Sequence, residues 1–279
     1  MARRAGRSVR SRRLSYVLRK LRAATGMSTD ATGEAVGMSG SKISRIETSD
    51  IGVYLDDLEK LLDFYRVTKA QRVFLLDLAR NAEQRGLLRI HNPNLPEDWQ
   101  TWTDFEDEAS ALLNYEPLLI PGLLQTPEYA KSIIVATGAG LSDAQVDALV
   151  ASRMARQGLL NRTSPLRLRA IIDQQVFERP FGDPGAMDRQ VRHLIALGER
   201  PNVEVRVLPT TAGLHSGLNG PFVVLEYDDD ASLVLVENKI SSLFIDEDEQ
   251  IRLFESTWDE LVRLAYDTEE TVAFLRDLP

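Results

Sequence analysis

The sequence predicts a multi-domain protein in which an all-α bundle precedes an α/β (α+β) domain with a small sheet flanked by helices. The chain has 279 residues, more than one small domain needs, and 43% of them are apolar, which suffices for packed cores. Its N-terminal part shows only helical periodicity, whereas runs rich in Val, Leu and Ile begin further on. We therefore expect a basic arm at 1–13, a helical domain at 14–83, a linker at 84–98 and a sensing or assembly domain at 99–279.

The helical domain is predicted to open with a helix at Leu14–Ala24, where leucines and a valine recur on one apolar face. A fourth helix is expected between Leu55 and Tyr65, and Thr68 has the side chain of an N-cap for a fifth. The segment 84–98 contains glycine, prolines and asparagines, which is typical of a linker. Five helices would thus complete the bundle before the second domain begins.

The most informative segment lies between the first and fourth helices. Ser28 is a suitable N-cap for a short helix at Thr29–Val36, and Gly37 ends that helix because glycine tolerates positive φ. Ser39 then caps a second helix at Gly40–Glu47. Two short helices joined by a tight turn are typical of a helix-turn-helix, whose second helix enters the major groove of DNA.

The second of these helices has a suitable outer face. Ile43 and Ile46 are spaced to point inward. The remaining positions are small, polar or basic, which suits contact with phosphates and base edges: Gly40, Ser41, Lys42, Ser44 and Arg45.

Charge is distributed unevenly along the chain. The net charge is -9, yet residues 1–85 contain 17 basic and 10 acidic residues, and the remainder contains 16 basic and 32 acidic residues. The charge of residues 1–85 is therefore suited to binding a polyanion such as DNA. Within the basic arm, Arg10 and Arg13 lie nearest the folded part and are candidates for phosphate contact; the alternative is that the arm is solvated and has no site-specific role.

The segments LRKLRAATGMS and SKISRIE resemble the lambda-repressor-like (XRE) helix-turn-helix family. The resemblance implies that Gly40, Ser41, Ser44 and Arg45 read bases and that Lys42 and Thr29 lie near the phosphate backbone, with the caps Ser28 and Ser39 beside them. Two positions depart from the family pattern. Thr32 replaces an aliphatic core residue, and Gly33 replaces the commoner alanine, which costs about 0.5 to 1 kcal/mol of helix stability.

The second domain is predicted to begin with a helix around Trp99 to Tyr115 and to mix later helices with strands. The expected strands, rich in aliphatic residues and bounded by Pro, Gly and Asp, are Leu166–Ile172, Val203–Leu208, Phe222–Tyr227 and Leu233–Glu237. Amphipathic helices are expected at Asp188–Leu197, Glu249–Tyr266 and Glu269–Leu275.

Four segments of this domain, YEPLLIPGLLQTPEYA, RMARQ, VEVRVLP and GLHSGLNGPF, resemble in their order a group of actinobacterial XRE-type regulators. In that group a C-terminal domain of uncharacterised role follows the helix-turn-helix. The resemblance implies a regulator of development or antibiotic production, often paired with a small partner protein. An antitoxin-like description is also attached to the group.

Few residues are candidates for a ligand or partner pocket. Tyr115, Gln125 and Tyr129 would supply polar edges to an apolar groove. The alternative is that this segment forms a corner within the core. His215 lies in a glycine-rich turn before a strand, where a pocket or an ordinary hairpin connection is possible.

The sequence favours no enzyme. It has no cysteine, and none of its three histidines lies two to four residues from another, as a metal pair would. Catalytic and nucleotide-binding motifs are also missing, so we expect no cofactor and no metal. A long apolar span and a signal peptide are both lacking, so the expected location is the cytoplasm, with nucleoid association on DNA.

These observations lead to a functional expectation with one alternative. The protein is interpreted as a sequence-specific regulator that binds double-stranded DNA, as a homodimer on a palindromic operator. The second domain would respond to a ligand or a small partner protein. The alternative is an antitoxin-like interaction protein whose DNA binding is autoregulatory.

Overall fold

A computed structural model of the chain describes residues 8–84, 86–90, 101–138, 140–228, 230–239 and 241–278. The chain forms two compact units. The first comprises the chain up to Phe105 together with the segments Asp229–Leu233 and Asn238–Asp248, and the second comprises Glu106–Asp228, Val234–Glu237 and the chain from Glu249 onward.

The described residues contain eleven α-helices and seven strands. The helices are α1 (Val9–Thr25), α2 (Thr29–Val36), α3 (Gly40–Glu47), α4 (Leu55–Phe64), α5 (Lys69–Arg80), α6 (Thr101–Glu108), α7 (Pro127–Thr137), α8 (Asp143–Arg156), α9 (Ala186–Gly198), α10 (Asp248–Leu264) and α11 (Thr268–Arg276). The strands are β1 (Leu87–Ile90), β2 (Ala111–Glu116), β3 (Arg167–Asp173), β4 (Val203–Leu208), β5 (Phe222–Glu226), β6 (Leu233–Glu237) and β7 (Ser241–Ile245).

Helices α1 to α5 pack around one apolar core in the first unit. Removing these side chains from water supplies most of the driving force for the bundle. The buried residues of this core are Leu14, Val17, Leu18, Ile43, Ile46, Leu58, Leu61, Leu62, Leu75 and Leu78.

Helix α1 begins at Val9, five residues before the predicted start at Leu14. Ser8 caps it by accepting a hydrogen bond from the Ser11 amide at 3.1 Å, and Asp246 accepts the Val9 amide at 2.6 Å. Both acceptors satisfy amides that would otherwise lack partners at a helix start. Part of the predicted arm is therefore helical, while residues 1–7 lie outside the described part of the chain.

Asp246 also joins the first unit's two strands to the helical bundle. Its second carboxylate oxygen accepts the Gly86 amide at 2.6 Å, just before β1. Strand β1 pairs antiparallel with β7, so part of the range predicted as a linker is a strand instead. The rest of that range, residues 91–98, lies outside the described residues.

The second unit contains a mixed sheet flanked by helices, which confirms the predicted fold class. Its strands lie in the order β6-β5-β2-β3-β4. Strand β2 runs parallel to β3 and antiparallel to β5, and β3 runs parallel to β4. The strands predicted at Val203–Leu208 and Leu233–Glu237 have the predicted bounds.

The prediction for the start of the second domain was wrong in one respect. A helix was expected as far as Tyr115, but α6 ends at Glu108 and β2 follows from Ala111. Strand β2 lies between two neighbours and is buried on both faces, so it lacks the alternation that marks a half-exposed strand. In the described parts of the chain, no helix combines the length and apolar character needed to cross a bilayer.

Candidate nucleic-acid interface

Helices α2 and α3 are each started by a serine and are separated by a glycine turn. The Ser28 hydroxyl accepts a hydrogen bond from the Ala31 amide, and the Ser39 hydroxyl accepts one from the Lys42 amide, both at 3.2 Å. Gly37 ends α2 with φ 72°, a left-handed conformation that favours glycine. The predicted bounds of both helices, Thr29–Val36 and Gly40–Glu47, agree with the structure.

Two glycines allow α2 and α3 to approach closely. A Cβ on Gly33 would lie 2.7 Å from the Met38 carbonyl oxygen, so alanine does not fit there without movement of the turn. A Cβ on Gly40 would collide with Asp30 on α2. Gly40 therefore faces α2, where the missing Cβ allows the two helices to pack closely, and its predicted contact with bases stays a prediction. Gly33, expected to weaken the motif, is required by its packing.

The outer face of α3 presents a short polar and basic row. Ser41, Ser44 and Arg45 are exposed, whereas Ile43 and Ile46 are buried in the bundle core. Three residues spaced by three and four positions lie on one side of a helix. The chemistry of this row, with hydroxyls and a guanidinium, matches hydrogen-bond acceptors and donors on base edges.

Lys42 lies beside this row but is held by neighbouring residues. Its ammonium is 2.6 Å from Asp57 of α4 and 6.0 Å from the centre of the Tyr54 ring. Lys42 therefore already has a carboxylate partner. Tyr54, which is 77% exposed beside α3, is a residue that sequence analysis missed. The available signal was an aromatic side chain at a helix start, where Ser, Thr, Asp or Asn is usual.

A buried ion pair holds the end of α3 against α1. Glu47 accepts hydrogen bonds from the Nε of Arg22 at 2.7 and 3.1 Å and from its Nη2 at 2.8 Å. The hydrogen bond to Glu47 raises the pKa of Arg22, with burial opposing it. Burial, and then the charge of Glu47, raises the pKa of Tyr65 to about 12. Sequence analysis did not identify this pair, which fixes the orientation of α3.

The two arginines predicted from the basic arm are placed on α1. Arg13 is 1% exposed and forms an ion pair with Asp104, so it is not available to a phosphate, and that expectation is corrected. Arg10 is largely buried, with Nη1 3.9 Å from Asp77. Thr29 is half-buried in the first turn of α2, while the caps Ser28 and Ser39 are exposed.

The four predicted pocket residues form two pairs in the second unit. The rings of Tyr115 and His215 pack edge to face with centroids 6.3 Å apart. The Tyr115 hydroxyl and the His215 Nδ1 atom are buried and have no hydrogen-bond partner among the described residues. Burial, followed by the charges of Asp173 and Glu116, raises the pKa of Tyr115.

Gln125 and Tyr129 meet at the backbone of Ile120. The Gln125 amide donates to the Ile120 carbonyl at 2.7 Å, and the Ile120 amide donates to the Tyr129 hydroxyl at 3.2 Å. Burial raises the pKa of Tyr129. Among the described residues no hydrogen bond joins this pair to Tyr115 and His215. Gln125, between β2 and α7, and Tyr129, in α7, are both buried, and a partner groove there stays a prediction.

No group of three or more His, Asp or Glu residues suited to a metal occurs within the described ranges.

Two family models match separate parts of the chain. Residues 13–75 match the model of a helix-turn-helix domain, and residues 99–277 match that of a domain of unknown function, DUF5753. No curated protein sequence matches the chain.

A solved structure of TrmBL2, described as an archaeal chromatin protein with a novel mode of DNA binding, is 11% identical to this chain. The match covers 81% of this chain and 70% of that one, with a TM-score of 0.32, a level of similarity that supports no conclusion about fold or function. The domain match at residues 13–75 and the exposed row on α3 are the features of a DNA-binding transcriptional regulator. The chain belongs to the DUF5753 family and carries an N-terminal helix-turn-helix domain.

Proposed function

We propose that this protein is a sequence-specific transcriptional regulator that reads DNA with α3 in the major groove. The observation that carries the proposal is the exposed row of Ser41, Ser44 and Arg45 on a helix whose opposite side is locked into the bundle. The ion pair between Arg22 and Glu47 supports it, because a recognition helix must be held rigidly to place side chains against base edges.

The proposal includes a homodimer on a palindromic operator in double-stranded DNA. One row of three side chains reads few base pairs, and a two-fold dimer doubles that contact on half-sites about 34 Å apart. The second unit would assemble the dimer or respond to a ligand or a small partner protein. The place of action would be the cytoplasm, at the nucleoid when DNA is bound.

The test compares two arginine variants on DNA from the protein's own promoter region and on random DNA. Arg45→Ala should weaken binding to the specific site by about 1 to 3 kcal/mol, because a bidentate contact to a base is lost. Arg80→Ala removes the same charge from an exposed position on α5 and should weaken binding to both DNAs slightly and equally. Equal losses on specific and random DNA for Arg45→Ala would contradict base reading by this residue.

A second candidate function is that of an antitoxin-like interaction protein whose DNA binding serves autoregulation. It is favoured by Leu214, which is 92% exposed, and by Leu218, which is exposed in the same loop. Neighbouring exposed apolar side chains that form a contiguous patch mark sites of protein contact. Co-purification with a protein encoded next to this gene, lost on Leu214→Ser, would support this function; stable binding to promoter DNA without such a partner would favour the first.

A further inference from the structure

Arg153 on α8 differs from other half-buried arginines of the second unit. Arg156 donates two hydrogen bonds to Glu106, at 2.8 and 2.9 Å. Arg169 and Arg206 both donate to Glu204, at 2.8 and 2.6 Å. Arg153, by contrast, donates one hydrogen bond, to the neutral side-chain oxygen of Gln125 at 2.9 Å, and forms no ion pair with any described residue.

The acceptor of that hydrogen bond is itself fixed. Gln125 is 2% exposed, and its amide nitrogen donates to the Ile120 carbonyl at 2.7 Å. Its backbone oxygen accepts a hydrogen bond from Gln157 at 2.7 Å. A side chain with both amide atoms occupied cannot turn away, so Gln125 orients the guanidinium of Arg153 through a single nitrogen.

The other guanidinium nitrogens of Arg153 stay available. Among the described residues they form no further hydrogen bond, and they are not among the fully buried atoms that lack a partner. A guanidinium carries several N–H donors in a planar fork that matches carboxylate and phosphate oxygens. The donors left free are therefore those that an anion would use.

The surroundings of Arg153 leave its charge incompletely balanced. Burial lowers the pKa of Arg153, the like charge of Arg156 lowers it further, and Glu237 at the end of β6 partly opposes both effects. A half-buried cation that forms no ion pair is only partly compensated by a charge such as that of Glu237, and an added anion would relieve the remaining cost.

We propose that Arg153, oriented by Gln125, anchors an anion-binding site in the second unit that takes the carboxylate or phosphate group of a small molecule. The site is defined by contacts within the second unit alone. It therefore stands whether or not α3 reads DNA, and it adds a ligand class to the control of this protein.

The first experiment titrates the full-length protein with sodium acetate and, separately, with inorganic phosphate, and follows the Arg153 Nε–H resonance and the heat of binding. Chloride at matched ionic strength serves as the reference. Saturable binding of either anion is expected, and the anion that binds more tightly identifies carboxylate or phosphate as the preferred group. Absence of saturable binding by both anions would overturn the proposal.

Two variants locate the binding. Arg153→Gln should weaken anion binding at least about tenfold, the usual effect of losing a charge-assisted hydrogen bond. Arg192→Gln removes the same charge from an exposed arginine on α9 and should leave the affinity unchanged. Equal affinities for the two variants would overturn the proposal.

A variant of opposite sign covers the case in which Arg153→Gln fails to fold. Glu237→Gln removes the carboxylate whose charge stabilises Arg153 and would repel an incoming anion. It should tighten anion binding several-fold, whereas unchanged or weaker binding would contradict the site. Promoter binding by each variant, measured separately, distinguishes failure of this site from failure of the DNA-binding proposal.

Discussion

Neutralising Asp57 should increase the affinity of the protein for DNA. Asp57, in the first turn of α4, holds the Lys42 ammonium at 2.6 Å, so Lys42 is not free to contact a phosphate. In the Asp57→Asn variant the ammonium remains near the outer row of α3 but loses its carboxylate partner. We therefore expect the lysine to contact the DNA backbone in the variant.

The structure limits the size of this effect. The side chains of Lys42 and Asp57 are 31% and 14% exposed, and an ion pair near the surface is worth about 0 to 1 kcal/mol, so releasing the lysine is easy. One additional phosphate contact should steepen the dependence of log affinity on log salt by about 0.9 units. Each such contact changes affinity about three- to fourfold between about 50 and 200 mM salt.

The assay is fluorescence anisotropy of labelled promoter DNA and random DNA over a salt series. Asp57→Asn should steepen the salt dependence equally for both DNAs, since phosphates are common to all sequences. Asp56→Asn is the matched control, because it removes the same charge from the same turn of α4 at an exposed position with no contact to Lys42. Identical salt slopes for the two variants would refute the reasoning.

Two further substitutions test the packing of the motif by hydrogen exchange of the α2 and α3 amides. Thr32→Val should raise the free energy of opening by about 1 kcal/mol, because the buried Thr32 hydroxyl has no partner among the described residues. Thr29→Val, at a half-buried position of α2, is the control. Unchanged protection of the amides in Thr32→Val would contradict this reasoning. Gly33→Ala should lower it by about 1 to 3 kcal/mol, because the methyl meets backbone atoms, despite a helix-propensity gain of about 1 kcal/mol. Ala35→Gly, at an exposed position of α2, measures the propensity alone, and stronger protection in Gly33→Ala would show that the turn yields.

The local signals of the helix-turn-helix were sufficient to predict it. Ser28 and Ser39 mark helix starts through their own side chains, and Gly37 marks a helix end through its own backbone freedom. Such signals act within a few residues, so the sequence states them directly. The predicted bounds of α2 and the predicted start of α3 accordingly agree with the structure, and α3 ends at Glu47, close to where its end was expected.

Contacts between distant residues were beyond the reach of that reasoning. Arg13 lies in a run of basic residues that predicts a surface arm, yet Asp104, far along the chain, pairs with it in the interior. The sequence predicts Lys42 to lie on an exposed helix face, but in the fold its ammonium forms an ion pair with Asp57. Strand β2 was predicted as helix because its neighbours bury both of its faces, and such burial removes the alternation of apolar and polar residues that identifies a strand.

The sequence by itself determined that the chain has a helical domain with a helix-turn-helix and a second domain containing a sheet, because hydrophobic period and capping residues are local properties. Only the tertiary structure decided which basic residues are available. In the structure Arg45 is exposed and Arg13 is buried beside Asp104. Arg156 pairs with a carboxylate, whereas Arg153 donates to the neutral side chain of Gln125. The physical reason is that burial and charge pairing depend on which residues meet across the fold, and a sequence pattern records only which residues are near one another along the chain.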